Sequence, residues 1–220
     1  MVRKGVIILV AILSMAISGC HKTYDTGIYR TGRAWNFGVY FFDAQNHLTD
    51  SCAIKLTIGK GGWLSYIMDQ RELLYTYGNC CGKDLKETTG VDERPNMVFI
   101  HPPRLACMAF TEIPPMPQIG LPINMTEVHT GEIRIVKGWG SLNGKTIKQK
   151  EKLVKMVEFT FADTTIPCVM IEGENTNYID TLGVYKSQYL FNEHFGFTQL
   201  NYYKPNGESV KMILKTTNFR

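Results

Sequence analysis

The chain has 220 residues with 24 basic and 20 acidic side chains, a formal net charge of +4, and 44% hydrophobic residues. That balance is ordinary for a folded chain and implies no strongly electrostatic partner, because nucleic-acid binding calls for a concentrated basic stripe. The best such candidate, Lys145, Lys148, Lys150, Lys152 and Lys155, is interrupted by Glu151 and reads as a solvated strand face.

Arg3 and Lys4 precede an apolar run from Val6 to Ile17, the layout of an export signal. Twelve helical residues reach about 18 Å, short of the roughly 30 Å hydrocarbon core, so a stable span is disfavoured. The run ends in Ile17-Ser18-Gly19-Cys20, which resembles the lipobox of bacterial lipoproteins. The resemblance implies a diacylglyceryl thioether on Cys20, cleavage just before it, and acylation of the new amino group. Residues 1–19 are then a signal peptide, and Cys20 is the lipidation site and membrane partner. The location is the cell envelope, outside the cytoplasm. Removing residues 1–19 takes away Arg3 and Lys4 and no acid, so +4 becomes +2 over 201 residues. Residues 20–33, polar and glycine-containing, read as a lipidated tether, and 34–220 as a single domain.

Beyond the tether, alternation and turn residues dominate. Strands are expected over Ala53–Ile58, Val98–His101, Glu132–Trp139, Leu153–Phe161 and Pro167–Gly173. Trp63–Tyr77 fits helical spacing too, but its aromatics favour two strands turning near Asp69-Gln70. Period two places Leu153, Val157, Phe159 and Phe161 on one face, broken by Lys155. The prolines at 102, 103, 114, 115, 117 and 122 cannot serve a central strand, so residues 112–130 read as an extended connection over an edge or end of the sheet. Near the C-terminus, Phe195–Tyr203 and Ser209–Lys215 flank Lys204-Pro205-Asn206-Gly207, a hairpin with Val210, Met212 and Leu214 inward. Asn143-Gly144 is a second turn.

His101-Pro102-Pro103-Arg104, the proline-rich stretch, Trp139 and the run from Tyr189 to Phe197 resemble exported β-rich proteins of Bacteroidetes. That family's architecture is similar to the lipoprotein-localisation carriers and receptors. The resemblance implies an all-β fold, a strongly curved antiparallel sheet forming a half-barrel, with a prior for an apolar concave face.

No nucleophile elbow, phosphate loop, dinucleotide fingerprint or His-Glu-x-x-His helix is present, so no enzyme is expected. No metal or cofactor is expected either, because the histidines are scattered. His101 and Arg104 form a possible polar site, with the plainer alternative that they bond carbonyls at a strand end. Cys52, Cys80, Cys81, Cys107 and Cys168 are odd in number, so at least one is unpaired. Cys80-Cys81 reads as an exposed loop in which one thiol could pair with Cys52 or Cys107, in preference to a vicinal redox pair. Their spacing does not suggest a disulfide framework.

Function then divides by class. A lipid-like apolar or amphipathic ligand could lie in the concave face against Phe159, Phe161, Phe195, Phe197, Tyr202 and Met212, although core packing is their commoner fate. Alternatively the chain is a structural or assembly subunit partnering an envelope protein; an envelope enzyme comes third. A sealed core favours assembly and a solvent-connected apolar cavity favours a ligand. A half-barrel's open face has to be covered, either by such a ligand or by the proline-rich connection.

Overall fold

A computed structural model describes residues 27–60, 70–135, 140–175 and 182–220. The lipobox, Cys20, residues 21–26, the first arm proposed for Trp63–Tyr77, and Trp139 lie outside the described residues. The fold is all-β: twelve antiparallel strands in one open sheet, in the order β6-β5-β4-β3-β2-β1-β12-β11-β10-β9-β8-β7. The strands are β1 (Ala34–Phe42), β2 (Leu48–Ile58), β3 (Arg71–Cys80), β4 (Lys83–Arg94), β5 (Met97–Ile100), β6 (Gln118–Gly120), β7 (Val128–Arg134), β8 (Thr146–Phe161), β9 (Thr164–Asn175), β10 (Lys186–Asn192), β11 (Gly196–Tyr203) and β12 (Ser209–Thr217). Two meanders of consecutive hairpins meet in mid-sheet where the first strand pairs with the last.

Alternation places one side chain of each pair inward. Cross-strand registers align Trp35, Phe37 and Val39 of β1 with Leu56 and Ile54 of β2, Tyr75 and Tyr77 of β3, and Leu214 and Met212 of β12 on one buried face. The same row continues through Leu200 and Tyr202 to Tyr189 and Ile171. This inward face holds the core, with these residues 2% exposed or less.

The C-terminal hairpin forms as the sequence predicts: β11 and β12 flank a turn in which Gly207 has φ +90° and its position approaches Ala44. A side chain there would meet both the positive φ and that neighbour. Gly144, at φ +77°, completes the second Asn-Gly turn, where the Gly144 N–H donates to the Ile135 carbonyl at 2.8 Å.

Four expectations change. Lys155 does not interrupt a single face: a β-bulge between Leu153 and Lys155 shifts the register, so Leu153 pairs with Ile171 on the inward face while Lys155 pairs with Met170 on the other. Val157, Phe159 and Phe161 follow Lys155 onto the outer face. The strand expected over Glu132–Trp139 begins earlier, at Val128, and ends at Arg134. Residues 112–130 are not wholly a connection, because Gln118–Gly120 adds a short edge strand to β5. An edge position suits it, since Pro115, Pro117 and Pro122 around it have no N–H to give.

Residues 27–33, read as tether, are instead part of the domain. Ile28 and Tyr29 are buried, and their N–H groups donate to the Glu93 carboxylate at 2.6 and 3.0 Å. Tyr29 stacks near Trp35 at 5.0 Å, and its hydroxyl accepts the Phe197 N–H at 3.0 Å. Desolvation drives the change: two large apolar side chains at the end of a polar segment find a core to enter.

Candidate functional site

The inward face is covered by the chain's own residues 101–120. After β5, Pro102 and Pro103 are buried, a 3-10 helix follows over Ala106–Glu112, and Ile113, Pro114, Pro115 and Pro117 continue the covering. Met108 is 0% exposed and Ile113 1%. The segment's backbone carbonyls, which prolines leave without strand partners, are met by side chains from the sheet. Tyr75 donates its hydroxyl proton to the His101 carbonyl at 2.7 Å, and Gln149 its amide to the Ile113 carbonyl at 2.9 Å. The Tyr189 hydroxyl donates to the Pro115 carbonyl. Gly173 of β9 makes room for that contact, because a Cβ there would stand 2.8 Å from the Pro115 ring. Tyr75 lies on β3 and Tyr189 on β10, so one segment spans strands far apart in the sheet order. The sheet is therefore strongly curved around it.

His101 and Arg104 sit where this plug begins. His101 is half-buried, its ring meets Phe99 edge-on at 4.9 Å, and its Nδ1 is buried without a partner. Burial, aided by the Arg104 charge, pushes its pKa down to about 4. Arg104 does not bond carbonyls. Its Nε donates to Glu87 at 2.8 Å and its Nη1 to Glu112 at 2.9 Å. Burial opposes its charge, but Glu112 and Glu87 outweigh burial and hold its pKa above the usual arginine value. Glu87 also accepts the Tyr77 hydroxyl at 2.5 Å and the Arg104 N–H at 3.0 Å. The Glu87 bonds thereby tie the plug's base to β3 and β4, and the Glu112 bond joins Arg104 to the plug's own helix.

The six aromatic and methionine candidates do not share one surface. Phe197, Tyr202 and Met212 are on the inward face, at most 1% exposed, with Tyr189 5.6 Å from Tyr202 and 6.1 Å from Phe197. Phe159 and Phe161 stack at 6.0 Å beyond the bulge on the outer face, where Phe161 meets Phe195 of the β10–β11 turn at 5.0 Å. The far half of the β8–β9 hairpin bends over this end of the sheet, held by the Asn192 amide, which donates to the Pro167 carbonyl at 2.8 Å. Five of the six belong to one hydrophobic core cluster, and Phe195 packs against it.

Sequence reasoning counts Glu151 with the lysines of a solvated strand face and passes over Gln149. Both are buried on the inward face of β8. The Gln118 amide donates to Glu151 Oε2 at 2.7 Å, which links edge strand β6 to β8 near the opposite end of the sheet. The signal was present in Lys148-Gln149-Lys150-Glu151-Lys152: with lysine at every second position, the intervening side chains are those turned inward.

On the outer face, the lysines alternate with acids across the strands. Lys150 pairs with Glu174 and Lys152 with Glu172, and Lys186 and Gln188 of β10 continue the two rows. A cavity of about 410 Å³ opens there, lined by these residues and Tyr203.

Among the described residues the cysteines form two disulfides, Cys52–Cys80 and Cys81–Cys107, and Cys168 is free and buried. Cys80 is not in an exposed loop; it ends β3 at 0% exposure, and both adjacent thiols are paired. The second bridge ties the plug's helix to the β3–β4 turn. Among the described residues no group of three or more His, Cys, Asp or Glu could hold a metal.

No family model and no curated protein matches the chain. Solved structures with a similar fold include a candidate lipoprotein of Parabacteroides distasonis, 11% identical, covering 86% of this chain and 96% of its own, with a TM-score of 0.48. A candidate exported protein with a YmcC-like fold from Bacteroides fragilis is 11% identical over 88% of this chain and 100% of its own, at 0.44. The hypothetical lipoprotein YmcC of Escherichia coli is 10% identical over 91% and 95%, at 0.38.

Proposed function

We propose that the chain is a lipid-anchored protein of the cell envelope that acts by binding, as an assembly subunit docking a protein partner rather than as a carrier of lipid in its concave face. The address rests on Ile17-Ser18-Gly19-Cys20. The observation that carries the activity is the plug. A lipid held in the concave face would need the space that Met108, Phe110, Ile113 and Pro115 occupy, and all four are buried there. With its interior filled, the domain has its outer surface and its edges to offer. Edge strand β7 pairs with β8 on one side, with Val128 51% exposed, and provides a rail for an added strand.

The test is gentle extraction of the full chain from native envelope, followed by native mass spectrometry and cross-linking. The expected result is one protein partner at fixed stoichiometry, lost on Val128→Lys, with no acyl cargo beyond the anchor. Bound lipid retained by the folded domain would overturn the assembly reading. In the same preparation Cys20→Ala is expected to leave an unacylated precursor, and mature wild-type protein with an unmodified Cys20 would overturn the anchor.

A further inference from the structure

We infer that the end of the domain at which the tether enters is a membrane-facing surface, where Arg30, Arg33 and Arg220 bind the phosphates of anionic lipid headgroups. The inference rests on the lipid-anchor reading of Cys20. Length is the first observation. With Ile28 and Tyr29 pinned to Glu93, only the seven steps from Cys20 to Gly27 separate an anchored sulfur from the folded domain, a reach of about 25 Å at full extension. This end cannot leave the headgroup region far behind, whereas the β11–β12 turn lies at the other end of the strands.

Charge is the second. Arg30 Nε and Arg33 Nη1 both donate to the Gly27 carbonyl, at 2.9 and 3.4 Å, which gathers two guanidinium groups at the junction. Arg33 lies over the Phe219 ring at 4.1 Å, which brings the adjacent, exposed Arg220 to the same end of the domain. Asn218 holds that terminus in place: its amide donates to the Gly32 carbonyl at 3.0 Å and its oxygen accepts the Ala34 N–H at 2.7 Å. The carboxylate nearest the junction, Glu93, is committed to the Ile28 and Tyr29 N–H groups and to Arg71 at 3.6 Å. Arg33 feels the Glu93 charge and gives its Nη1 to the Ile28 carbonyl at 2.8 Å as well, whereas Arg30 and Arg220 are exposed and make no ion pair among the described residues. Planar guanidinium groups match phosphate oxygens in pairs, and a basic cluster near a membrane acts within a Debye length of about 8 Å, a distance the tether can close.

The test uses the full acylated chain reconstituted into vesicles of phosphatidylcholine alone and of phosphatidylcholine with phosphatidylglycerol, with intact mass to establish acylation. Hydrogen exchange is read over residues 27–33 and 216–220. Protection at both segments is expected on the anionic vesicles only. Arg30→Gln and Arg220→Gln, which remove no packed side chain, should each reduce it about fivefold. Equal protection on both vesicle types in acylated protein, or no loss in the double variant, overturns the contact and leaves the anchor standing. Absence of the acyl group by mass overturns the anchor, and the contact with it.

Discussion

Glu151 is 2% exposed, with Oε2 bonded by Gln118 and Oε1 buried without a partner. Burial raises its pKa to about 8, and the Gln118 bond only partly opposes that. Because the folded state holds this proton more tightly than the unfolded chain, the contribution to stability is complete below about pH 4.5 and is lost as pH rises through about 8. His101 has the opposite sign: its pKa of about 4 lies below the ordinary 6.5, so stability falls as pH drops through that interval. Above pH 6.5 only the glutamate acts. Denaturation midpoints of the wild type are therefore expected to fall between pH 6.5 and 8, by no more than about 1.4 kcal/mol per pH unit. Glu151→Gln should flatten that limb and, between about pH 4.5 and 6.5 where the two groups oppose each other, leave the His101 slope standing alone; an equal slope above pH 6.5 in the variant would contradict this assignment. The residue was hard to see in the sequence because a lysine-rich strand reads as solvated on both faces, whereas here only its lysine face is.

Among the elements, those with apolar alternation or turn residues were legible: β2, β5, β8, β9, and the β11–β12 hairpin with its Asn-Gly turn. Strand β4 was not, since Lys83-Asp84-Leu85-Lys86-Glu87-Thr88-Thr89 places Glu87 and Thr89 inward, and their burial depends on partners that arrive from β3 and the plug. The β8 bulge was equally invisible. It is written in the pairing with β9, and a period-two count through Val154 carries Phe159 and Phe161 to the same face as Leu153. The half-barrel was accessible through family resemblance, and the plug through the prolines, but not the polar side chains that hold it. The disulfides escaped because their partners come from separate hairpins. Cys81–Cys107 closes a 26-residue separation between the β3–β4 turn and the plug's helix. Loop closure of that length contributes about 3.5 kcal/mol at most. Cys81→Ser with Cys107→Ser is expected to lower unfolding free energy by up to that amount and to speed exchange at residues 101–120 ahead of the strands. Uniform acceleration throughout the sheet would instead mean that the plug opens only with the whole domain.

For the molecule as a whole, the sheet is two meanders, β1 to β6 and β7 to β12, whose strands pair with each other through β1 and β12, with the Gln118–Glu151 side-chain bond as a second link between β6 and β8. The plug bridges them by side chains: Tyr75 from the first, Gln149 and Tyr189 from the second. Deleting Ser209–Thr217 is expected to abolish the cooperative thermal transition rather than trim an edge, because it removes Val210, Met212 and Leu214 from the core and exposes β1 and β11 as new edges. Circular dichroism on heating would measure this, and a sharp transition in the truncated chain would count against a single cooperative sheet.

The position of β12 also sets the order of events at birth. For a chain exported from its N-terminus, β12 emerges 166 residues after the end of β1, although the two are neighbours in mid-sheet. Until it arrives, each meander presents an open edge to whatever else crowds the envelope. A holding factor that shields the β1 edge during secretion would act on this protein for as long as the nine-residue β12 is still in transit.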